Sequence, residues 1–325
     1  MHIVFDINGN DKGPQAGYNA AYEFCLKNPN DKITLIGEIS LLKQNENLEN
    51  LFLIENNLKV ATPKNIRENL KMPTSMNEAI DMVKNSKADA ILSSGDSASY
   101  VAGLTLTVGR IPNLSRPTFM PVANTINGQK LLILDVGSNT EVKPEYLYQW
   151  ALIAKVFYQK MFNFSDPKVT ILNIGSEAYK GPEFLLEAAK LISKDDSLNY
   201  IGFSETREVL YGNYQIALID GYGGNLVLKS YEGAFNTFKH LLKDGISKSF
   251  RAKLGALLLK PAFENISKVL DYKKVGAAWV FGINTLAIKT HGASDKVSYL
   301  YALEELKNGY KSNFLDVIRK TLKEN

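Results

Sequence analysis

The chain has 325 residues, 45% of them hydrophobic, enough to bury one large core or two smaller ones. A net charge of +4 is too small for a dedicated nucleic-acid binder, whose basic excess would be larger and gathered on one stripe. The single cysteine, Cys25, excludes an internal disulfide and a cysteine-rich metal site, and suits a reducing compartment.

Met1 to Asp6 shows no basic head, and no apolar stretch approaches the roughly 20 residues that span a bilayer. A cytoplasmic location is the expectation. Short apolar, β-branched runs predict strands at Ile3–Phe5, Ile33–Ile36, Ala90–Leu92, Leu131–Leu134, Val169–Leu172, Tyr200–Phe203 and Ile216–Ile219. Several are apolar on consecutive residues, as expected where helices cover both faces of a sheet. Helical patterns fall at Glu145–Phe162, Pro182–Ile192 and Asn225–Leu242, and the Asn-rich stretch from Asn45 to Asn57 reads as a polar surface excursion. Alternating strands and helices imply one doubly wound, mainly parallel α/β domain over 1–325.

In such a fold, ligands bind beyond the carboxyl ends of the strands. Five post-strand segments there are small and polar. They carry Asp6, Gly9 and Asn10; Ser94, Gly95 and Asp96; Asp135, Gly137 and Asn139; Asn173, Gly175, Lys180 and Gly181; and Asp220, Gly221, Gly224, Asn225 and Lys229. Glycines let backbone approach a ligand, and amides at a following helix N-terminus favour an anion. Together they predict an anion-handling cleft, with Lys180 and Lys229 as its cations. The run Gly95 to Ser99 misses the hydrolase elbow because Ser99 stands where the sharp turn requires glycine. Of the three histidines, His2 and His240 read as structural or solvent-facing, while His291 follows the apolar run Thr285–Ile288 and can close the same rim. No His, Cys or acid spacing suits a metal.

Taken in order, these segments resemble the phosphate acyltransferase family PlsX. The resemblance rests on Leu134-Asp135-Val136-Gly137-Ser138-Asn139 with Lys143-Pro144-Glu145, and on Leu172-Asn173-Ile174-Gly175-Ser176-Glu177 with Lys180-Gly181. It continues through Asp220-Gly221-Tyr222-Gly223-Gly224-Asn225 with Lys229 and Glu232-Gly233, then Val280-Phe281-Gly282-Ile283 and His291-Gly292-Ala293-Ser294. Departures fall at Ile7, Asn8, Asn10, Lys12 and Gly13 in the first segment, at Ser94 and from Asp96 to Ser99 in the second, and at Ala277, where Gly276-Ala277 replaces a glycine pair. An ionised Asp96 would repel phosphate unless protonated or turned away.

The resemblance implies a Rossmann-like fold of the isocitrate/isopropylmalate dehydrogenase type, with a protruding amphipathic helical hairpin at about 240–272. It implies transfer of a fatty acyl group from acyl carrier protein to inorganic phosphate, without cofactor or metal. Phosphate is then the nucleophile. On that reading Lys180 pairs with phosphate, Asn225 and Asn139 donate to the developing oxyanion, and His291 orients the leaving thiol. Two alternatives stand beside it: a phosphotransacetylase-like transfer from acyl-CoA, and a weakly catalytic protein that binds acyl chains or the carrier.

From Ile246 to Leu258 apolar residues recur at helical spacing (Phe250, Leu254, Leu257, Leu258), with Lys248, Arg251 and Lys253 between them. Two readings remain open, a helix packed on the core and a basic amphipathic surface. The resemblance links this region to homodimer formation and to peripheral contact with anionic membrane.

Overall fold

The computed structural model describes residues 1–60, 65–270 and 277–324. In chain order the elements are β1 (His2–Asp6), α1 (Gln15–Lys27), β2 (Lys32–Gly37), β3 (Leu51–Glu55), α2 (Ile66–Asn69), α3 (Ser75–Lys84), β4 (Ala90–Ser93) and α4 (Ser97–Gly103). Next come β5 (Thr118–Asn124), β6 (Lys130–Leu134), α5 (Pro144–Phe162), β7 (Lys168–Asn173), α6 (Glu183–Ile192), β8 (Asn199–Glu205) and β9 (Ile216–Leu218). The chain continues with α7 (Gly221–Ser247), α8 (Phe250–Leu258), α9 (Lys260–Leu270), β10 (Ala277–Phe281), β11 (Leu286–Thr290), α10 (Lys296–Ser312) and α11 (Phe314–Glu324).

The strands form one 11-stranded sheet in the order β3-β2-β1-β4-β11-β10-β5-β6-β9-β7-β8. Two blocks are internally parallel: β3 to β11 in that order, and β6 to β8. They run in opposite directions and are joined through antiparallel β10 and β5. The expected mainly parallel α/β sheet is therefore present.

Why consecutive residues are apolar is visible in the core. Ile3 and Phe5 belong to one buried cluster and Val4 to another, and the same alternation divides Leu132 and Leu134 from Leu131 and Ile133. Inner strands such as β1 and β6 bury both faces. Helices α1, α5, α6, α10 and α11 supply the first cluster, and α3 and α4 contribute to the second. Phe157 of α5 lies 4.8 Å from Phe314 and 5.5 Å from Trp279, ring centre to ring centre, tying α5 to α11 and β10.

All seven predicted strands are present. Two expectations need correction. The Asn45–Asn57 stretch is more than a surface excursion, because Leu51–Glu55 pairs in parallel with β2 as the sheet's edge. The Asn- and Glu-rich residues on either side of its Leu51–Ile54 run disguised it. The helical pattern of 246–258 is broken: α7 ends at Ser247, and the Ser249 hydroxyl accepts the Ala252 N–H at 3.0 Å to start α8. Core packing of this segment is also ruled out, since no residue of α8 is buried and its neighbours are α7 and α9. Gly276 and the last residues of the expected hairpin, 271 and 272, lie outside the described residues.

Candidate active site

The site begins where β1 and β4 end side by side. The Asp6 carboxylate is buried; its Oδ1 accepts the Ser75 hydroxyl at 2.7 Å and the Asn8 N–H at 3.2 Å, and its Oδ2 accepts the Ser93 hydroxyl at 2.6 Å. Burial raises its pKa above the usual carboxylate value, and these three donors oppose the rise. The following loops then meet backbone to backbone. Gly9 has φ +88°, and a Cβ there would lie 2.6 Å from the Gly95 Cα, so only glycine fits.

Asn10 and Asp96, the departures nearest the expected cleft, both have structural partners. The Asn10 amide donates to the Ser294 carbonyl at 2.8 Å and the Tyr299 hydroxyl at 2.7 Å, stapling the first loop to the one after β11. Asp96 caps α4, its Oδ2 accepting the Ser99 N–H at 2.8 Å. The segment Gly95–Ser99 is thus a capped helix start.

A third loop comes from β6. Asp135 is fully buried, and its carboxylate accepts N–H bonds from Phe119 (2.9 Å), Gly137 (3.2 Å), Ser138 (3.1 Å) and Asn139 (2.6 Å). It also accepts from the Asn139 side-chain amide, at 2.9 Å. Burial raises the Asp135 pKa against these donors. Asp220 caps α7 by accepting the Gly223 N–H at 2.8 Å. The first turn of α7 packs on the Asp135 loop, placing Asn225 opposite Gly137.

These loops enclose a cleft of about 530 Å³, within the usual range of ligand sites. Of the predicted residues it gathers Gly9, Ser94, Gly95, Gly137, Asn225, Lys229 and His291. Phe119, Val136 and Leu228 add apolar surface. The Lys229 ammonium lies 2.8 Å from Glu232, also in the lining. His291 Nδ1 accepts the Ala293 N–H at 3.1 Å. A second pocket of about 150 Å³, lined by Asp6, Ser75 and Met76 among others, shares Gly9, Gly95 and Asp96 with the cleft.

The remaining predicted residues sit elsewhere. Asp135, Asn139, Asp220, Gly221 and Gly224 organise the loops and are not in the lining. The loop after β7 also stays outside it. There Asn173 donates to the Lys180 carbonyl at 2.8 Å, a Cβ on Gly181 would strike Asn173, and one on Gly175 would strike Glu177 and Lys180. Lys180 forms a surface ion pair with Glu177 at 2.6 Å.

Sequence reasoning missed Lys289. It is 7% exposed, lines the cleft, and donates to the Thr290 carbonyl. Burial lowers its pKa to about 8, against the favourable charges of Asp6 and Asp96. The available signal was its place at the end of an apolar run, two residues before His291. Among the described residues no group of three or more His, Cys, Asp or Glu could hold a metal.

A family model described as "Fatty acid synthesis protein" matches residues 1–316. Phosphate acyltransferase of Mycoplasmopsis agalactiae is 48% identical over 325 residues, covering 98% of this chain and 97% of that protein. That of Clostridium novyi is 36% identical over 328 residues, covering 98% of each. A phosphotransacetylase from Streptococcus pyogenes shares the fold with a TM-score of 0.60 at 16% identity, covering 97% of this chain and 94% of that one. A branched-chain phosphotransacylase from Enterococcus faecalis gives 0.58 at 13%, covering 95% and 100%. With nearly the whole chain matched at these identities, the protein belongs to the phosphate acyltransferase (PlsX) family of fatty acid synthesis proteins.

Proposed function

We propose that the protein transfers a fatty acyl group from acyl carrier protein to inorganic phosphate in the cleft between the β1, β4, β6 and β11 loops. The observation that carries this is a single cleft offering Lys229 and His291 beside apolar Phe119, Val136 and Leu228. A phosphate and the first carbons of an acyl thioester need such surfaces side by side.

The step balances without an enzyme nucleophile. A hydrogen phosphate oxygen adds to the thioester carbonyl carbon, the carbon–sulfur bond breaks, and the phosphate proton ends on the sulfur. The products are acyl phosphate and the free thiol of the carrier. Holding the two reactants together can supply on the order of 7–11 kcal/mol. On this reading Asn225, which lines the cleft, donates to the carbonyl oxygen as charge develops, a contribution of about 3 kcal/mol. His291 orients the leaving sulfur. Asn139 serves through the loop it holds with Asp135, and Lys180 reaches phosphate only by leaving Glu177.

The partner surface is α8. Phe250, Leu254, Leu257 and Leu258 are all more than half exposed, with Arg251 and Lys253 between them. An apolar row flanked by cations suits an anionic membrane surface, and the same basic residues suit an acidic carrier protein. The neighbouring face of α7, with Phe238 and Leu241 exposed, suits a second copy in a homodimer. No helix among the described residues is long and apolar enough to cross a membrane.

The deciding assay measures free carrier protein released from acyl carrier protein with and without phosphate. Release that requires phosphate supports the reading; release that ignores phosphate removes it. Acyl-CoA as the better donor would favour the phosphotransacetylase-like alternative.

A further inference from the structure

Lys289 is an ammonium set inside the sheet. Strand β11 runs between β4 and β10, with Lys289 in register with Ser93 on one side and Ala278 on the other. Its neighbouring carboxylates are engaged elsewhere. Asp6 is held by Ser75, Ser93 and the Asn8 N–H, and Asp96 caps α4. Among the described residues the Lys289 ammonium forms no ion pair, and its one hydrogen bond goes to the Thr290 carbonyl. An ammonium carries three donors, so two are left for the cleft that Lys289 lines. Burying a charge with so few partners is costly unless an opposite charge arrives.

We propose that Lys289 is the phosphate anchor of this cleft, its buried ammonium holding the hydrogen phosphate dianion that attacks the thioester. The assignment rests on the phosphate acyl-transfer reading and deepens it by naming the group that takes the nucleophile. Fixed by β4 and β10 on either side, Lys289 offers a charge whose position is set before phosphate binds. Lys229, on the solvent-facing wall, is 51% exposed at its side chain and already paired with Glu232. The difference matters because an ion pair is screened where water reaches it.

The anchor is also pH-limited. The groups around Lys289 are Asp6 of β1, Asp96 at the start of α4, Lys229 and Glu232 of α7, His291 after β11, and Tyr299 of α10 against Thr290. With its pKa brought down to about 8, Lys289 is charged at pH 7 and loses its proton above that value. An arginine there keeps its charge throughout.

The test is titration calorimetry of inorganic phosphate into the donor-free full-length enzyme, at pH 7 and pH 9.5, for wild type, Lys289→Met and Lys289→Arg. Circular dichroism checks folding. At pH 7, Lys289→Met should weaken phosphate binding about ten- to a hundredfold, the range for a lost hydrogen bond to a charged group. Wild type should weaken several-fold between pH 7 and 9.5, whereas Lys289→Arg should hold its affinity. Wild-type affinity in Lys289→Met overturns the proposal, as does wild-type binding that stays level to pH 9.5 or is absent at millimolar phosphate. If Lys289→Met does not fold, the pH series of wild type and Lys289→Arg decide together, and an equal fall in both overturns the proposal. An enzyme that binds phosphate through Lys289 yet releases carrier protein without phosphate would remove the acyl-transfer reading and leave the anchor standing.

Discussion

A Cβ on Gly224 would fall 1.8 Å from the Asp135 carbonyl oxygen, so α7 can begin against the β6 loop only with glycine at position 224. The contact joins the helix bearing Asn225 and Lys229 to the strand whose loop carries Gly137. Gly224→Ala should cost about 3 kcal/mol or more in urea unfolding, above the common range for overpacking because the obstruction is backbone. Gly233, in the same helix, has nothing within 4 Å of its would-be Cβ. Gly233→Ala should stabilise by about 0.5–1 kcal/mol. Equal responses would show that the Asp135 contact does not restrict position 224.

Asp135 gathers four backbone N–H groups and the Asn139 amide on one buried carboxylate. Asn in its place offers one acceptor oxygen and turns an NH₂ toward donors. Asp135→Asn should destabilise by about 2–4 kcal/mol and reduce turnover with it. Denaturant unfolding with the carrier-release assay reads both, and a variant of unchanged stability would argue that the loop holds itself.

His291→Ala should lower kcat about 10- to 100-fold while the KM for phosphate stays within twofold, as befits a group acting on the leaving sulfur. Lys229→Met should instead raise the KM for phosphate. The two variants separate the two ends of the cleft, and steady-state kinetics with phosphate and acyl carrier protein varied in turn would expose an exchange of these effects.

Stability against pH offers a second view of Lys289. Its folded pKa of about 8 lies below the 10.5 of a free lysine. Below pH 8 both folded and unfolded chains carry the proton, and folding bears the full burial penalty. Between about 8 and 10.5 the unfolded chain binds more protons, so wild-type stability gains with rising pH from this group. Lys289→Met lacks that gain. Its stability relative to wild type should therefore fall by about 2 kcal/mol between pH 8 and 10, in phosphate-free buffer. The buried tyrosines cancel in the difference, and a flat difference would mean Lys289 titrates as it would in water.

Vesicle flotation tests α8. Wild type should float with anionic vesicles, and Leu257→Glu, which places a charge in the exposed apolar row, should remain in the dense fraction. Equal flotation would leave that row to a protein partner.

Some of this was legible before any fold was known. Six of the seven strands announced themselves because both faces are covered, which demands consecutive apolar residues; the seventh, β8, is apolar although it lies at the sheet's edge with Ile201 exposed. Glycines after them marked the loops, since close backbone approach allows nothing larger at Gly9 and Gly224. The ordered motifs were enough to predict the family. Strand β3 escaped because the Asn- and Glu-rich residues around Leu51–Ile54 made the stretch read as polar, β5 because Pro121 interrupts its pattern, and β10 and β11 because their outer neighbours, β5 and β4, are remote in the chain.

Within the sites themselves, local sequence could say which residues were small or charged, but not which way they faced. Lys180 and Lys289 are both lysines near conspicuous turns. Only the insertion of β11 between its chain neighbour β10 and the remote β4 puts Lys289 in the lining of the cleft, whereas Lys180 stays on the surface with Glu177. Burial and charge environment are sums over neighbours that tertiary contacts choose, whereas strand periodicity and glycine placement are written residue by residue.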